Sequence, residues 1–265
     1  MDTVSRTAGA TLPSERRRLI HERLRDQGSV SVAALEAEFA ISPMTARRDL
    51  VELERQGLAR RTHGGAVLPG LSGHEDSFFK RLEVAVDEKE RLATAAVARL
   101  SAGDAVFVDC STTAYFAARR AVRDNFRCTL LTNSVPLMEL VCASDAQHVE
   151  LIGLGGTLRK LTRSFVGPQA VAGIQAHFAD QVVFSVAGLT DEGHLTDPDP
   201  LEAEVKRAMI HRARRAMLLV DSSKFDHAAL SVIAGLAEVD VILSAGASER
   251  SLAPLRRAGV EVNAV

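Results

Sequence analysis

Tryptophan is absent from the 265 residues and tyrosine occurs once. With ten phenylalanines scattered along the chain, no aromatic platform for stacking unpaired bases is evident, which argues against single-strand binding and leaves duplex grooves open. The three cysteines, Cys110, Cys128 and Cys142, are too few for a disulfide framework, and none joins histidines at zinc-finger spacing. No structural metal and no cofactor is implied, and a reducing cytoplasm is the expected compartment. No apolar run approaches the roughly 18 residues needed to span a bilayer, and positions 1–13 lack an apolar h-region, so a soluble, unexported protein is expected. Neither sign of charge dominates: 32 Lys and Arg face 34 Asp and Glu, so a polyanionic partner must be met by a local patch.

What is present is a 46% apolar chain, enough to bury a proper core. Residues 1–70 carry 11 basic against 9 acidic side chains, and the remainder is biased the other way. The loop formers His63-Gly64-Gly65, Pro69-Gly70 and Ser72-Gly73 mark the change. The expected organisation is a disordered tail over 1–13, a small first domain over 14–68, a linker over 69–85 and a larger second domain over 86–265.

In the first domain Ser14 is read as the cap of a helix with Ile20 and Leu24 on its apolar ridge, ending at Gln27-Gly28. Ser31 caps a short second helix in which Val32, Leu35 and Phe39 recur on one side. Ser42 followed by Pro43 starts a third helix running to about Gln56, with Ala46, Leu50 and Leu53 turned inward and Gly57 as its stop. The opposite face presents Met44, Arg48, Val51 and Arg55, with Thr45 and Arg47 on its shoulders. Residues 58–61 and 66–68, joined by a glycine turn, read as a hairpin beside that helix. A basic helix face alone is an ordinary solvated surface. At the start of the third helix of a tri-helical unit, with a short turn before it, Arg47 and Arg48 instead sit where a recognition helix enters a major groove. Ser42 and Thr45 then meet phosphates. The residues expected to face DNA are Ser31, Ser42, Pro43, Met44, Thr45, Arg47, Arg48, Arg60, Arg61 and His63.

The second domain alternates β-rich runs, at 105–108, 128–131, 148–152, 181–186, 216–220, 232–234 and 239–243, with helical patterns at 88–100, 115–122, 135–142, 167–177 and 201–214. That is the form of parallel βα units, so the fold class is α/β: a winged helix-turn-helix followed by an α/β sandwich. Ligands of such sheets collect beyond the strand carboxyl ends, where loops run into helix N-termini that favour anions. Those loops carry Asp109, Ser111, Thr112 and Thr113, then Thr132, Asn133 and Ser134, then Gly155, Gly156 and Arg159, and later Asp221 to Lys224. The set suits a small polyhydroxylated anion.

Each piece has a plainer reading. Ser111, Thr112 and Asn133 are common helix caps, and Glu202 and Lys206, four apart, fit a solvated helix pair. The run Gly153-Leu154-Gly155-Gly156 lacks the third glycine of a dinucleotide loop, and Cys110 has no neighbouring histidine to activate it.

The stretch Thr45-Ala46-Arg47-Arg48-Asp49-Leu50, then Leu53-Glu54, then Gly57 through Ala66, resembles the DNA-binding domain of the DeoR family of bacterial transcription regulators. The rest of the chain resembles the family's sensor domain, related in fold to ribose-5-phosphate isomerases and CoA transferases. The resemblance implies a bound phosphorylated sugar, with the effector set Asp109, Ser111, Thr112, Thr113, Thr132, Asn133, Ser134, Gly155, Gly156, Arg159, Glu202, Lys206 and Lys224. It also brings in Ser164 with Gly167, and homodimers or homotetramers that pair DNA half-sites. Ser111 departs from the glycine usual at its position, and its Cβ narrows backbone approach to a phosphate.

The expected function is a repressor of a carbohydrate-metabolism operon whose operator affinity is controlled by a sugar phosphate, with no catalysis. The alternative is a sugar-phosphate isomerase carrying a DNA-binding module, using Asp109, Glu202 and Lys224 to exchange protons.

Overall fold

A computed structural model describes residues 13–27, 29–56, 58–62, 64–67, 76–190, 192–225 and 228–265. The expectations for the tail at 1–12, the stops at Gly28 and Gly57, His63, and the linker over 69–75 fall outside these residues. The chain divides into two compact units, Met1–His74 and Glu75–Val265.

The first unit contains α1 (Pro13–Gln27), β1 (Ser29–Ser31), α2 (Val32–Phe39), α3 (Pro43–Arg55), β2 (Arg60–Thr62) and β3 (Gly65–Val67). Ile20 and Leu24 of α1, Leu35 of α2, and Ala46, Leu50 and Leu53 of α3 form one buried cluster, as the helical spacing requires. Ser31 and Ser42 cap α2 and α3 by accepting from the Ala34 and Thr45 amides. Ser14 does not cap α1, which already includes Pro13; a proline at the first position needs no amide partner. Ala40 takes a left-handed conformation, φ 50°, and so folds α2 back into α3 within three residues.

The hairpin expected beside α3 is present and has a third strand, giving an antiparallel sheet in the order β1-β3-β2. Strand β1 lies in a three-residue stretch whose pairing partner is thirty-odd positions away, so no local pattern announces it. Gly65 pairs with Ser31 so closely that a Cβ there would lie 1.9 Å from the Val30 carbonyl oxygen.

The second unit runs α4 (Phe78–Leu82), α5 (Val86–Val97), β4 (Ala105–Val108), α6 (Thr112–Arg123), β5 (Cys128–Thr132), α7 (Val135–Cys142), β6 (Val149–Gly153), β7 (Thr157–Arg159), β8 (Ser164–Val166) and α8 (Pro168–Gln175). It continues through β9 (Ala179–Phe184), β10 (Gly188–Leu189), β11 (His194–Asp197), α9 (Pro200–His211), β12 (Ala213–Asp221), β13 (Ser231–Gly235), β14 (Val241–Ala245), α10 (Glu249–Arg257) and β15 (Glu261–Ala264). Seven parallel strands form the main sheet in the order β15-β14-β12-β9-β4-β5-β6.

Successive strand residues point to opposite faces, so one core holds Phe107, Val182, Phe184 and Leu218 with α8, α9 and α10. The other holds Val106, Val108, Val183, Met217 and Leu219 with α5, α6 and α7. The result is three layers, helices on both faces of a parallel sheet. From β4 the chain winds outward through β5 to β6, and from β9 it winds the opposite way through β12 to β15. The two directions part between β4 and β9, the place where such sheets open a crevice at their carboxyl ends.

Two expectations change. The strand at 231–235 pairs antiparallel with β11 in a separate small sheet instead of joining the parallel one, because its partner is the short β10–β11 hairpin. The helix read as 201–214 stops at His211, and Ala213 already pairs with Ala179 in β12, so sheet pairing overrides helical spacing at that end.

Replacing Gly65 with alanine puts a methyl group into the Val30 carbonyl, and should lower the stability of the N-terminal unit by at least about 1–3 kcal/mol, read as a shift in its thermal unfolding.

Candidate nucleic-acid interface and anion site

Helix α3 separates its two tasks by face. Ala46, Asp49, Leu50 and Leu53 are buried, while Met44 and Val51 are 59% and 44% exposed with Arg47 and Arg48 open beside them. Among the described residues, neither arginine makes an ion pair. Ser42 and Thr45 share a 2.9 Å hydroxyl contact at the helix start, leaving both hydroxyls at the surface. Pro43 is exposed at the first helical position, and Ser31 is exposed at the cap of α2.

The helix is mounted from within by Asp49, whose carboxylate accepts from Arg16 at 2.6 Å and lies 3.6 Å from Arg17, both on α1. Asp49 stands in the middle of the arginine motif, yet the spacing gave it no role, because its partners lie more than thirty positions away. Arg61 is committed as well: its amide and guanidinium both donate to Glu54, at 2.9 and 2.6 Å, tying β2 to α3 and holding that carboxyl below its usual range. Arg55 and Gln56 bond Glu52 and hold it at about 2, so Arg55 is a local partner more than a free cation. Arg60 lies in β2, with its side chain outside the described residues.

In the second unit, Asp109 follows β4 and Ser185 follows β9, at the point where the winding directions part. The Ser185 amide donates to Asp109 at 3.5 Å, and Lys206 from α9 reaches Asp109 at 3.2 Å, Asp197 at 2.7 Å and the Ser185 carbonyl at 3.0 Å. Burial opposes the Lys206 charge, but Asp197 and Asp109 outweigh it and hold the ammonium well above the usual lysine range. Glu202 is equally enclosed. It accepts from Thr162, Ser164 and the Cys110 thiol at 2.7, 2.5 and 2.8 Å. Glu202 and Lys206 are therefore not each other's partners on a wet helix face; both point into the sheet end and serve different networks. Burial and then the Glu202 carboxylate push the Cys110 thiol far above its ordinary range, leaving it an inert donor.

Ser111 caps α6 by accepting from the Ala114 amide and donates its own hydroxyl to Asp109, so the Cβ that replaces the family glycine comes with a local function. Thr112 and Thr113 follow in the first turn, both buried. Thr132 donates to the Val108 carbonyl, and the Asn133 side-chain amide donates to the Phe165 carbonyl at 2.9 Å, bringing the loop after β5 to β8. Asn133 Oδ1, Ser134 Oγ and Ser185 Oγ are buried without a partner. Gly155 and Gly156 lead from β6 into the β7–β8 hairpin and not into a helix, which removes the dinucleotide-loop geometry. A Cβ at Gly156 would stand 2.8 Å from the Val166 carbonyl oxygen. Arg159 bonds Asp199 at 2.9 Å and Thr162 at 3.2 Å, and Lys224 lies 4.0 Å from Asp221.

The structure thus brings most of the expected residues to one end of the sheet and adds Thr162, Ser185, Asp197 and Asp199. Asp199, preceding Pro200, carries a legible signal as the cap of α9, accepting from the Leu201 and Glu202 amides. Thr162, Ser185 and Asp197 have no local signal, since only tertiary folding brings them near Glu202 and Lys206. Among the described residues no cluster of His, Cys, Asp and Glu could hold a metal, and no helix is long and apolar enough to cross a membrane.

Residues 16–70 match the DeoR-like helix-turn-helix domain, and residues 84–245 match the DeoR C terminal sensor domain. The chain is 34% identical to the HTH-type transcriptional regulator GlpR of Haloferax volcanii, covering 95% of this chain and 97% of that protein. It is 31% identical to the glycerol-3-phosphate regulon repressor of Escherichia coli, over 86% and 89% of the two chains. With the HTH-type transcriptional repressor GlcR of Bacillus subtilis the identity is 31%, over 87% of each. Among solved structures, ribose 5-phosphate isomerase A from Methanocaldococcus jannaschii aligns over 53% of this chain and 54% of that one, with a TM-score of 0.38 and 15% identity.

Replacing Lys206 with methionine strands the Asp109 and Asp197 carboxylates in the interior, and should cost about 3–5 kcal/mol of stability, measured by urea unfolding near neutral pH. In the wild type this contribution is present below the ordinary lysine range and is lost only as pH rises through the elevated folded-state value.

Proposed function

The chain belongs to the DeoR family of transcriptional regulators, and from that premise we propose that it represses a carbohydrate-metabolism operon by binding its operator and releases it on binding a phosphorylated sugar. The observation that carries the DNA half is the division of α3: a capped helix, anchored through Asp49, whose opposite face offers two arginines, without an ion-pair partner among the described residues, flanked by apolar side chains. Guanidinium groups bond guanine edges, and exposed apolar groups suit thymine methyls. Ser42 and Thr45 would meet phosphates, with Arg61 holding the wing against α3. Two copies, in a homodimer or homotetramer, would present paired α3 helices to the two halves of an operator. The cytoplasm is the compartment of such a regulator.

The effector half rests on the carboxyl end of the sheet, with Asp109, Ser111, Thr112, Thr113, Thr132, Asn133, Ser134, Gly155, Gly156, Arg159, Glu202, Lys206 and Lys224 around it. The E. coli relative's name carries glycerol 3-phosphate, a small phosphorylated polyol. To release DNA, the effector must bind the released conformation more tightly than the operator-bound one, a coupling of about 1–3 kcal/mol in typical cases. The isomerase alternative would need a free base, whereas Asp109 is engaged by Ser111, Ser185 and Lys206, and Glu202 by Thr162, Ser164 and Cys110.

Selection of duplex fragments from a random pool by the full chain supplies an operator. Arg48→Ala should then weaken binding by about 1–3 kcal/mol and relax preference at one base position, followed by fluorescence anisotropy; unchanged affinity removes Arg48 from the interface. On the same fragment, sugar phosphates should lower the affinity of the wild type, and a panel that never does so ends the inducer mechanism while leaving DNA binding intact.

A further inference from the structure

Helix α4 leaves an apolar surface uncovered. Phe78 is buried edge-on against Tyr115 of α6, ring centres 5.5 Å apart, and its amide donates to the Leu161 carbonyl in the β7–β8 turn at 3.0 Å. The next residue, Phe79, turns the other way and is 57% exposed, with the Arg163 guanidinium 5.2 Å over its ring. Among the described residues eleven large apolar side chains are exposed, and five of them gather here. They are Phe79, then Leu158 and Leu161 of the hairpin bonded to α4, and Val84 and Val86 where α4 turns into α5. Exposed apolar side chains scattered singly are ordinary; a group of them marks a contact with another molecule.

The charges beside this surface identify the other molecule. Arg163 is paired with Glu139 and Lys80 with Asp76, each at 2.7 Å, so the middle of the surface is electrically balanced. On the hairpin flank, which meets α4 at its first residue, Lys160 is exposed and has no ion-pair partner among the described residues. On the opposite flank, past the last residue of α4, Glu83 and Asp87 are exposed and equally without one. A two-fold axis through Phe79 exchanges the two flanks. It lays apolar side chains against their own copies at the centre and turns the Lys160 flank of each chain toward the Glu83 and Asp87 flank of the other. A polyanion would be drawn by Lys160 and repelled by the two acids, and a polycation the reverse, whereas a second copy answers both signs at once.

We propose that this surface, centred on Phe79, is where a second copy of the chain docks, in an isologous contact that sets Lys160 opposite Glu83 and Asp87. The inference rests on the homo-oligomer reading above and gives it a location. Because α4 is the first described helix of the second unit, the segments that lead from it to the two DNA-binding units would start from one shared interface.

The test follows the oligomeric state of the full chain by sedimentation equilibrium over a dilution series. The wild type should associate into dimers, or into tetramers built from them, and Phe79→Ser should raise the dissociation constant about tenfold or more. Lys160→Glu should weaken association, because it sets acid against acid, and so should the double variant Glu83→Lys with Asp87→Lys, which sets base against base. The variant carrying all three reversals should recover association close to that of the wild type, which changes that merely damage the surface would not do. These three side chains are exposed and lose no partner on reversal, so they report on the contact even where Phe79→Ser fails to fold. A wild type that associates while every one of these variants associates equally well overturns the inference alone, as does a triple variant no better than the single and double reversals. A wild type that stays monomeric throughout the series overturns the homo-oligomer reading and the inference with it.

Discussion

A lysine ammonium enclosed at the carboxyl end of a parallel sheet is the constraint around which the larger unit is arranged. Lys206 is balanced by two carboxylates contributed by different elements, Asp109 from the end of β4 and Asp197 from the end of β11. Because the charge is held from several directions, the loop after β4, the strand β9 and helix α9 are fixed relative to one another at the place where the winding of the sheet reverses. The Glu202 network repeats the device one helical turn earlier, drawing the β7–β8 turn onto the same helix. A rigid floor of this kind keeps binding groups in register without requiring a ligand to organise them.

Polar groups at that sheet end fall into two sets. Asp109, Glu202, Lys206 and Arg159 have their partners within the protein and act as scaffold. Among the described residues, Asn133, Ser134, Ser185 and Asp221 each keep one enclosed polar atom without a hydrogen-bond partner. Interiors rarely tolerate such atoms, and in the proposed effector site they would be the groups left for a guest.

Much of this was legible in the sequence, for identifiable reasons. The caps Ser31 and Ser42, the inward row Ala46, Leu50 and Leu53, and the main strands other than β15 follow from short-range periodicity, which local backbone geometry must obey. The three-residue strands β7 and β8, the two-residue β10, and the five-residue α4 are too short to generate a period and are held by distant contacts. Loop position drew attention to Asp109 and the family resemblance to Lys206, but neither announced their bond, because i, i+4 spacing with Glu202 suggested a different pairing.

In the smaller unit, the clasp of Asp49 by the arginines of α1 has a consequence for how such a reader can diversify. The tilt of α3 is fixed by side chains on its hidden side, whereas the face proposed to read DNA carries Met44, Arg47, Arg48 and Val51 on the outer one. On that proposal mount and typeface are separate parts, and a new address on the chromosome would be set by the outward four while the hinge-pin beneath them stays as it is.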